Sequence, residues 1–231
     1  MKKQKLLENN REPGLFFSIF IILILLFFSI LSSILLKSLK IEEQIFTGGV
    51  LTFLIETGIV FFVFIRYSNY FKKIFSGFPL FFTGLKYYLI VIPLLLIAGS
   101  ITYSIFLKFH IKVEEQKVIS FYLKTNSIKL LLFLFFLSCF VAPFTEEIIF
   151  RGLLYKSIRK MSSFPIAMVL NSLIFALFHN ELFTLPGIFL LGCVLSFVFE
   201  KKKSLWPSVG LHFFNNFFTN IFIFIFKFIY S

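Results

Sequence analysis

The stretch that decides the fold is residues 128–155, IKLLLFLFFLSCFVAPFTEEIIFRGLLY. It is longer than the roughly 20 residues that an apolar α-helix needs to cross a bilayer core. Its second half nevertheless carries the ionisable residues Glu146, Glu147 and Arg151. Charges inside a membrane are costly, so they are usually found facing the protein interior with a function to perform. The stretch therefore predicts a long transmembrane helix with a polar site, kinked at Pro143.

The composition extends this interpretation to the whole chain. Of the 231 residues, 58% are hydrophobic and 39 are Phe, and the mean hydropathy is +0.94. A soluble domain of this length could not bury so much apolar surface, whereas lipid solvates it. The net charge of +12 does not indicate a nucleic-acid partner, because the basic residues flank the apolar stretches. That placement is typical of membrane proteins, whose Lys and Arg lie beside lipid headgroups.

Seven segments are apolar and long enough, or nearly so, to be predicted as membrane helices. They are 15–36, 45–65, 87–107, 128–155, 164–180, 184–199 and 206–229. The predicted fold class is therefore all-α, a polytopic bundle of about seven transmembrane spans whose fourth helix is long and Pro-kinked. The first segment follows a Lys-rich start, and we interpret it as an uncleaved helix because it can span and no cleavage site follows it.

The basic residues also predict an orientation. With a cytoplasmic N-terminus, fourteen of them lie on the cytoplasmic side and seven on the other, which is the expected bias. Five of those seven lie in the connection around 108–127, which is too polar to span but can hold a short interfacial helix. We expect a multi-pass integral protein of a bacterial inner or cell membrane.

Polar residues recur in three separated segments of the second half. Glu146 and Glu147 lie in the fourth segment, His179 ends the fifth, and His212 and Asn216 lie in the seventh. At 1.5 Å per residue they reach overlapping depths of roughly 12 to 24 Å from the cytoplasmic surface. The sequence therefore allows them to form one site.

These residue types can hydrolyse an amide with an activated water. A carboxylate can serve as the general base and a histidine can hold the water. A second histidine and an asparagine can donate hydrogen bonds to the oxyanion. Ser172 and Cys193 lie in spans but in no recognisable nucleophile motif, and there is no H-E-x-x-H zinc signature.

With three such motifs in order, the chain resembles the CPBP family of intramembrane proteases, which includes CAAX prenyl endopeptidases and bacterial Abi-type proteins. The first motif, E-E-x-x-x-R, matches Glu146, Glu147 and Arg151 in APFTEEIIFRGLLY. The second, F-x-x-x-H, matches Phe175 and His179 in NSLIFALFHN. The third, H-x-x-x-N, matches His212 and Asn216 in LWPSVGLHFFNN. The resemblance covers roughly residues 128–220. We therefore divide the chain into N-terminal transmembrane helices and loops, 1–127, and a protease core, 128–231.

The resemblance also implies a role for each matching residue. Glu146 would be the general base, His179 would help to activate the water, and His212 would hold the oxyanion together with Asn216. Supporting roles fall to Glu147, Arg151 and Phe175. The family leaves metal use open, and we favour a metal-free site without a cofactor. The alternative is zinc held by Glu146, His179 and His212.

Two further functions stay open from the sequence alone. A catalytically silent family member could act as an immunity or regulatory protein that binds a membrane partner. A transporter could use the same Glu and His residues, although inverted repeats are absent from the sequence. Glu56, in the second span, either pairs with a basic residue or lines a cavity. The substrate is expected to be a peptide or protein at the membrane, and neither its prenylation nor the oligomeric state follows from the sequence.

Overall fold

The computed structural model describes residues 12–113 and 117–230. The Lys-rich start used in the orientation prediction lies outside the described residues. All regular elements in the described part are helical. The α-helices are α1 (Leu15–Leu35), α2 (Ile41–Arg66), α3 (Ser68–Ile74), α4 (Thr83–Lys108), α5 (Lys117–Lys124), α6 (Ile128–Arg159), α7 (Phe164–Phe178), α8 (Leu185–Lys202) and α9 (Trp206–Tyr230). A 3₁₀ turn, Phe78–Phe82, leads into α4.

Within the described ranges, five helices are long and apolar enough to cross a membrane: α1, α2, α4, α6 and α9. Helix α7 is apolar but has 15 residues, which span about 22 Å. All seven predicted segments are helical, so the all-α class is confirmed, but the count of seven spans is not.

The bundle has an apolar surface as well as an apolar core. Phe16, Phe222 and Phe228 are 90%, 69% and 72% exposed, which suits contact with lipid. The largest core cluster is centred on α6, where Ile148 and Leu153 are fully buried. The part of α6 that follows Glu146, Glu147–Tyr155, is thus enclosed by the other helices, as the charge pattern predicts.

Helix α6 continues through Pro143 but changes its hydrogen bonding there. A π-helical segment, Leu137–Val141, comes just before the proline, and Ala142 donates its N–H to Leu137 O, five residues back. If this π pattern of bonds to the fifth residue back continued, the Ser138 carbonyl would accept a hydrogen bond from the N–H of residue 143. Residue 143 is a proline, which has no N–H, so this bond cannot form. The predicted irregularity is therefore a π segment that leaves the Ser138 carbonyl without its backbone donor.

Helix α9 is fixed against its neighbours at both ends. A Cβ atom at Gly210 would overlap the Phe81 carbonyl, and one at Gly84 would overlap the Leu211 amide, so the backbones of α4 and α9 meet at two glycines. At the other end, Lys227 is buried and donates to the carbonyls of Tyr122 and Thr125. The short helix expected in the polar connection is present as α5, and this ammonium caps its last turn.

Candidate active site

The first motif forms a fully buried ion pair. Arg151 Nη1 lies 2.8 Å from Glu147 Oε1, and neither side chain is exposed. Arg151 Nη2 also donates to Gly192 O on α8, at 3.2 Å. The guanidinium lies over the ring of Phe175 on α7, 4.4 Å from its centroid. This i,i+4 pair therefore joins α6 to both α7 and α8.

A second π segment, Glu147–Tyr155, begins at this pair. Such wide turns are rare and are often found at functional sites. Glu146 precedes the segment, and its carboxylate lies on the other side of the His212 ring from that of Glu147. Glu147 Oε1 is 3.1 Å from His212 Nδ1, and Glu146 Oε2 is 3.9 Å from His212 Nε2.

His179 reaches the same carboxylate from α7. It is the residue at which α7 ends, and its Nε2 lies 4.0 Å from Glu146 Oε2. Its ring contacts Phe175 edge-on at a centroid distance of 4.8 Å. Phe175 is fully buried and also faces the His212 ring. Phe175 therefore packs between the two histidines and the guanidinium of Arg151.

The partners of the two histidines fix which nitrogen faces Glu146. His179 Nδ1 lies 2.8 Å from the Phe175 carbonyl, which can only accept a hydrogen bond. His212 Nδ1 lies 3.1 Å from the Glu147 carboxylate, which also accepts from Arg151. Each ring thus carries a hydrogen on Nδ1, and in the neutral form Nε2 keeps a lone pair directed toward Glu146.

Glu146 Oε2 is the atom on which these groups converge. It is buried and has no hydrogen-bond partner among the described residues. The gaps of 3.9 and 4.0 Å are too long for direct hydrogen bonds and are of the size that one water molecule bridges. The Glu146 side chain is 21% exposed, so the site is not sealed.

Asn216 lies one turn after His212 and binds a backbone group of α6. Its amide nitrogen donates to Ser138 O at 2.8 Å, the carbonyl left without a donor by Pro143. The amide of Asn215 donates to Asn216 Oδ1 at 3.1 Å. Asn216 thus holds α9 against α6 beside the catalytic cluster, and its amide has a second hydrogen.

The donor types at Glu146, His179 and His212 suit a zinc ion, which accepts carboxylate oxygen and imidazole nitrogen. Two ligands of a tetrahedral zinc at about 2.05 Å lie roughly 3.3 Å apart. The observed separations of 3.9 and 4.0 Å would have to close by about 0.6 Å. In the described residues, no group of three His, Cys, Asp or Glu side chains meets the geometry of a metal site. The residue types fit zinc, and the present spacing is wider than zinc requires.

Two contacts near the site did not follow from the motifs. Thr145 donates to the Glu56 carboxylate at 2.7 Å, and Ser138 accepts from Asn216. The sequence feature that identified Glu56 is an ionisable residue in a predicted span outside the three motifs. In the structure, Glu56 lies at a cavity. The sequence feature that could have identified Ser138 is its position five residues before Pro143. That position is informative only if the helix is π-helical there, because only then would residue 143 be the donor to the Ser138 carbonyl. Asn171 and Asn220 also bond between helices, to Ser196 and to Ser138.

The chain is similar in sequence to known membrane peptidases. Residues 128–218 match the family model of the Rce1-like type II CAAX prenyl endopeptidases. The chain is 28% identical over 120 residues to YdiL of Bacillus subtilis (strain 168), a protein with a proposed membrane peptidase activity. It is 34% identical over 94 residues to the membrane-embedded CAAX protease MroQ of Staphylococcus aureus (strain USA300). No solved structure matches.

These matches confirm the family resemblance predicted from the three motifs. They cover 52% and 38% of this chain, and 47% and 38% of the two relatives, so the chain spans less than half the length of each. The family model includes all seven motif residues, from Glu146 to Asn216. Together with the apolar helices, the matches establish a multi-pass membrane protein.

Proposed function

We propose that this protein, a relative of the Rce1-like CAAX prenyl endopeptidases over residues 128–218, is a membrane-embedded endopeptidase that uses a Glu146-activated water. Three atoms carry the proposal: Glu146 Oε2, His179 Nε2 and His212 Nε2, which converge from three helices with separations of 3.9 and 4.0 Å from the carboxylate. The match to MroQ, a membrane-embedded CAAX protease, supports the reaction class.

In the proposed reaction, a water molecule lies between Glu146 Oε2 and His179 Nε2. The Nε2 lone pair of His179 accepts a hydrogen bond from the water and orients it, because Nδ1 is committed to the Phe175 carbonyl. Glu146 removes a proton as the water oxygen attacks the carbonyl carbon of the peptide bond. The protonated Glu146 then gives this proton to the leaving amine, so the carboxylate is regenerated.

His212 and Asn216 are proposed to stabilise the oxyanion of the tetrahedral intermediate. This role requires a hydrogen on Nε2 of His212, which faces Glu146, as well as on Nδ1, which lies 3.1 Å from the Glu147 carboxylate. Asn216 uses one amide hydrogen for Ser138 O and offers the other to the oxyanion. Glu147, Arg151 and Phe175 position these groups.

Zinc dependence is the alternative form of the same site. Zinc would be held by Glu146, His179 and His212, and it would polarise the substrate carbonyl and acidify a bound water. We propose the metal-free form because the separations between these donors exceed those of a tetrahedral zinc site. A cytoplasmic N-terminus and a peptide substrate at the membrane complete the proposal.

The test is cleavage of a quenched-fluorescent peptide library by the purified full-length protein. Glu146→Gln keeps the shape of the side chain but removes the base, and we expect a loss of at least about 100-fold. Glu43→Gln, a change of an exposed carboxylate on α2, is the matched control and should retain activity. Wild type and control are assayed with and without 1,10-phenanthroline. Prenylated and unprenylated forms of each cleaved peptide then define the substrate.

The outcomes separate the alternatives. Cleavage that is lost in Glu146→Gln and survives chelation supports the metal-free protease. Cleavage that is lost on chelation and restored by zinc supports the zinc form. Full cleavage by Glu146→Gln would overturn both. A folded wild type that cleaves nothing, while Glu146→Gln keeps its cellular phenotype, favours the alternative of a silent immunity or regulatory protein that binds a membrane partner.

A further inference from the structure

A second carboxylate, outside the three motifs, lies next to the proposed catalytic centre. Glu56 is on α2, half-buried, and within a segment apolar enough to span the membrane. Its Oε2 accepts a hydrogen bond of 2.7 Å from Thr145, which is buried and directly precedes Glu146. Glu56 is therefore connected to the catalytic helix at the residue that leads into Glu146.

Glu56 also forms part of the wall of a cavity of about 90 Å³ between α1 and α2. The hydroxyl-bearing residues Ser29, Ser32 and Thr52 line this cavity together with apolar residues. The Ser32 hydroxyl donates to the Ser29 carbonyl and can still accept a hydrogen bond. Phe178, the residue before His179, closes it on the side of α7. The cavity therefore borders the catalytic cluster on two sides, through Thr145 and through Phe178.

Glu56 has no ion-pair partner in the part of the chain that the structure describes. Its polar partner there is Thr145, and no described Lys, Arg or His lies within ion-pair distance of it. Glu146, the residue after Thr145, carries a charge of the same sign. An uncompensated carboxylate at membrane depth is costly, and such residues mark sites for a ligand or a proton. A cation with several hydrogen-bond donors would satisfy Glu56 and the three hydroxyls at once.

We infer that this cavity is a substrate subsite that takes the cationic side chain of a basic residue near the scissile bond, with Glu56 as its specificity-determining residue. The inference rests on the proposed function, because it assigns the subsite to a peptide bound at Glu146. A lysine ammonium donates three hydrogen bonds, which Glu56 and the cavity hydroxyls can accept.

The connection through Thr145 limits where the basic residue can lie in the peptide. Thr145 and Glu146 are adjacent, so their Cα atoms are about 3.8 Å apart, and an extended peptide advances about 3.3 to 3.6 Å per residue. We expect the preferred basic residue within about three positions of the cleaved bond.

The test compares peptides that differ only in charge. A set of fluorogenic octapeptides carries either lysine or norleucine, its uncharged analogue, at each position around the bond. At one position the wild type should prefer lysine by about tenfold or more in kcat/KM. Glu56→Gln should lower that ratio to near one, mainly through KM. Glutamine still accepts from Thr145, so the variant removes the charge and keeps the link to α6.

Glu43→Gln, an exposed change on the same helix, is the control and should keep the wild-type ratio. A wild-type ratio near one at every position would overturn the inference. So would Glu56→Gln lowering cleavage of both peptides equally, since Glu56 would then only position Glu146.

A binding measurement separates this inference from the proposed chemistry. Fluorescence anisotropy of the labelled lysine peptide is measured with Glu146→Gln and with the double variant Glu146→Gln, Glu56→Gln. Weaker binding by about tenfold in the double variant, with no such change for the norleucine peptide, supports the cation subsite even if no peptide is cleaved. Equal binding of both peptides by both variants would overturn the subsite and leave the proposed function intact.

Discussion

Two of the polar links between helices α6 and α9 differ in character. One link is charged and fully buried, and it consists of Glu147, Arg151 and His212. The other is neutral and half-buried, and it consists of the Ser138 carbonyl and the Asn216 amide. His212 and Asn216 are one turn apart on α9, so the two links together set the position and rotation of that helix beside Glu146.

The difference between the links shows how the site is secured. The charged link depends on side chains alone, and losing one partner leaves a buried charge unpaired. The neutral link depends on a backbone carbonyl that is available because Pro143 and the π segment remove its usual donor. We expect the charged link to contribute more to the free energy of unfolding than the neutral link. The contribution of the neutral link should depend on the backbone hydrogen bonding at Pro143.

The largest effect on stability should follow from breaking the charged link. Glu147→Ala leaves Arg151 buried without its ion-pair partner, and we expect the free energy of unfolding in mixed micelles to fall by about 3 to 5 kcal/mol. The double variant Glu147→Leu, Arg151→Met leaves no buried charge and should be closer to wild type. The exposed pair Glu12–Lys160 is the control, and Glu12→Gln should cost less than about 1 kcal/mol. A Glu147→Ala cost no larger than this control would contradict the ranking.

The two histidines should separate activity from stability. Under the proposed reaction, His179→Ala and His212→Ala each lower cleavage at least about 100-fold. His212 is 4% exposed and bonded to Glu147, so its loss should also lower the free energy of unfolding by about 2 kcal/mol. His179 is 31% exposed and bonded to its own helix, so we expect a smaller loss. Parallel cleavage assays and micelle unfolding of the two variants check this, and equal stability would count against the charged link.

Breaking the neutral link should have a moderate effect. Asn216→Ala removes the donor to Ser138 O, and we expect a cost of about 1 to 3 kcal/mol in micelle unfolding. Asn215→Ala is the matched control, since Asn215 donates only to the Asn216 side chain, and it should cost less. If both substitutions cost the same, the Ser138 carbonyl does not depend on Asn216.

The smallest effect is a coupling between Pro143 and Asn216. Pro143→Ala restores an N–H at the position that can reach Ser138 O, so Asn216 should matter less in that background. A double-mutant cycle on the free energy of unfolding should give a coupling of about 1 kcal/mol. Additive costs would show that the proline does not create the need for Asn216.

The sequence predicted the membrane helices because they depend on residue type and spacing. Of the charged link, the sequence contains the spacing of Glu147 and Arg151 but does not indicate the contact with His212. The i,i+4 spacing of Glu147 and Arg151 is sufficient for their ion pair on a helix. Overlapping depths were enough to predict that Glu146, His179 and His212 share a site. Each of these features follows from the geometry of a regular α-helix and from the lipid that surrounds it.

The features that the sequence did not predict depend on irregular backbone or on packing. The neutral link requires the π segment before Pro143, and regular helix geometry does not contain it. The cavity beside Glu56 depends on how α1 and α2 pack, so the sequence left its role open. The number of spans was uncertain for the same reason: α7 and α8 are apolar, but their lengths of 15 and 18 residues do not determine whether they cross.

The shortness of α7 has a consequence for the surrounding lipid. Its outward side chains, among them Ile166, Leu170 and Leu177, are exposed along a helix of about 22 Å, whereas a typical hydrocarbon core is about 30 Å thick. If α7 crosses the membrane, the bilayer beside it thins locally, at a free-energy cost of a fraction of a kcal/mol per Å of mismatch. That thinning brings the water phase toward the end of α7, where His179 lies. The acyl-chain length of the surrounding lipids would therefore affect how readily water reaches His179.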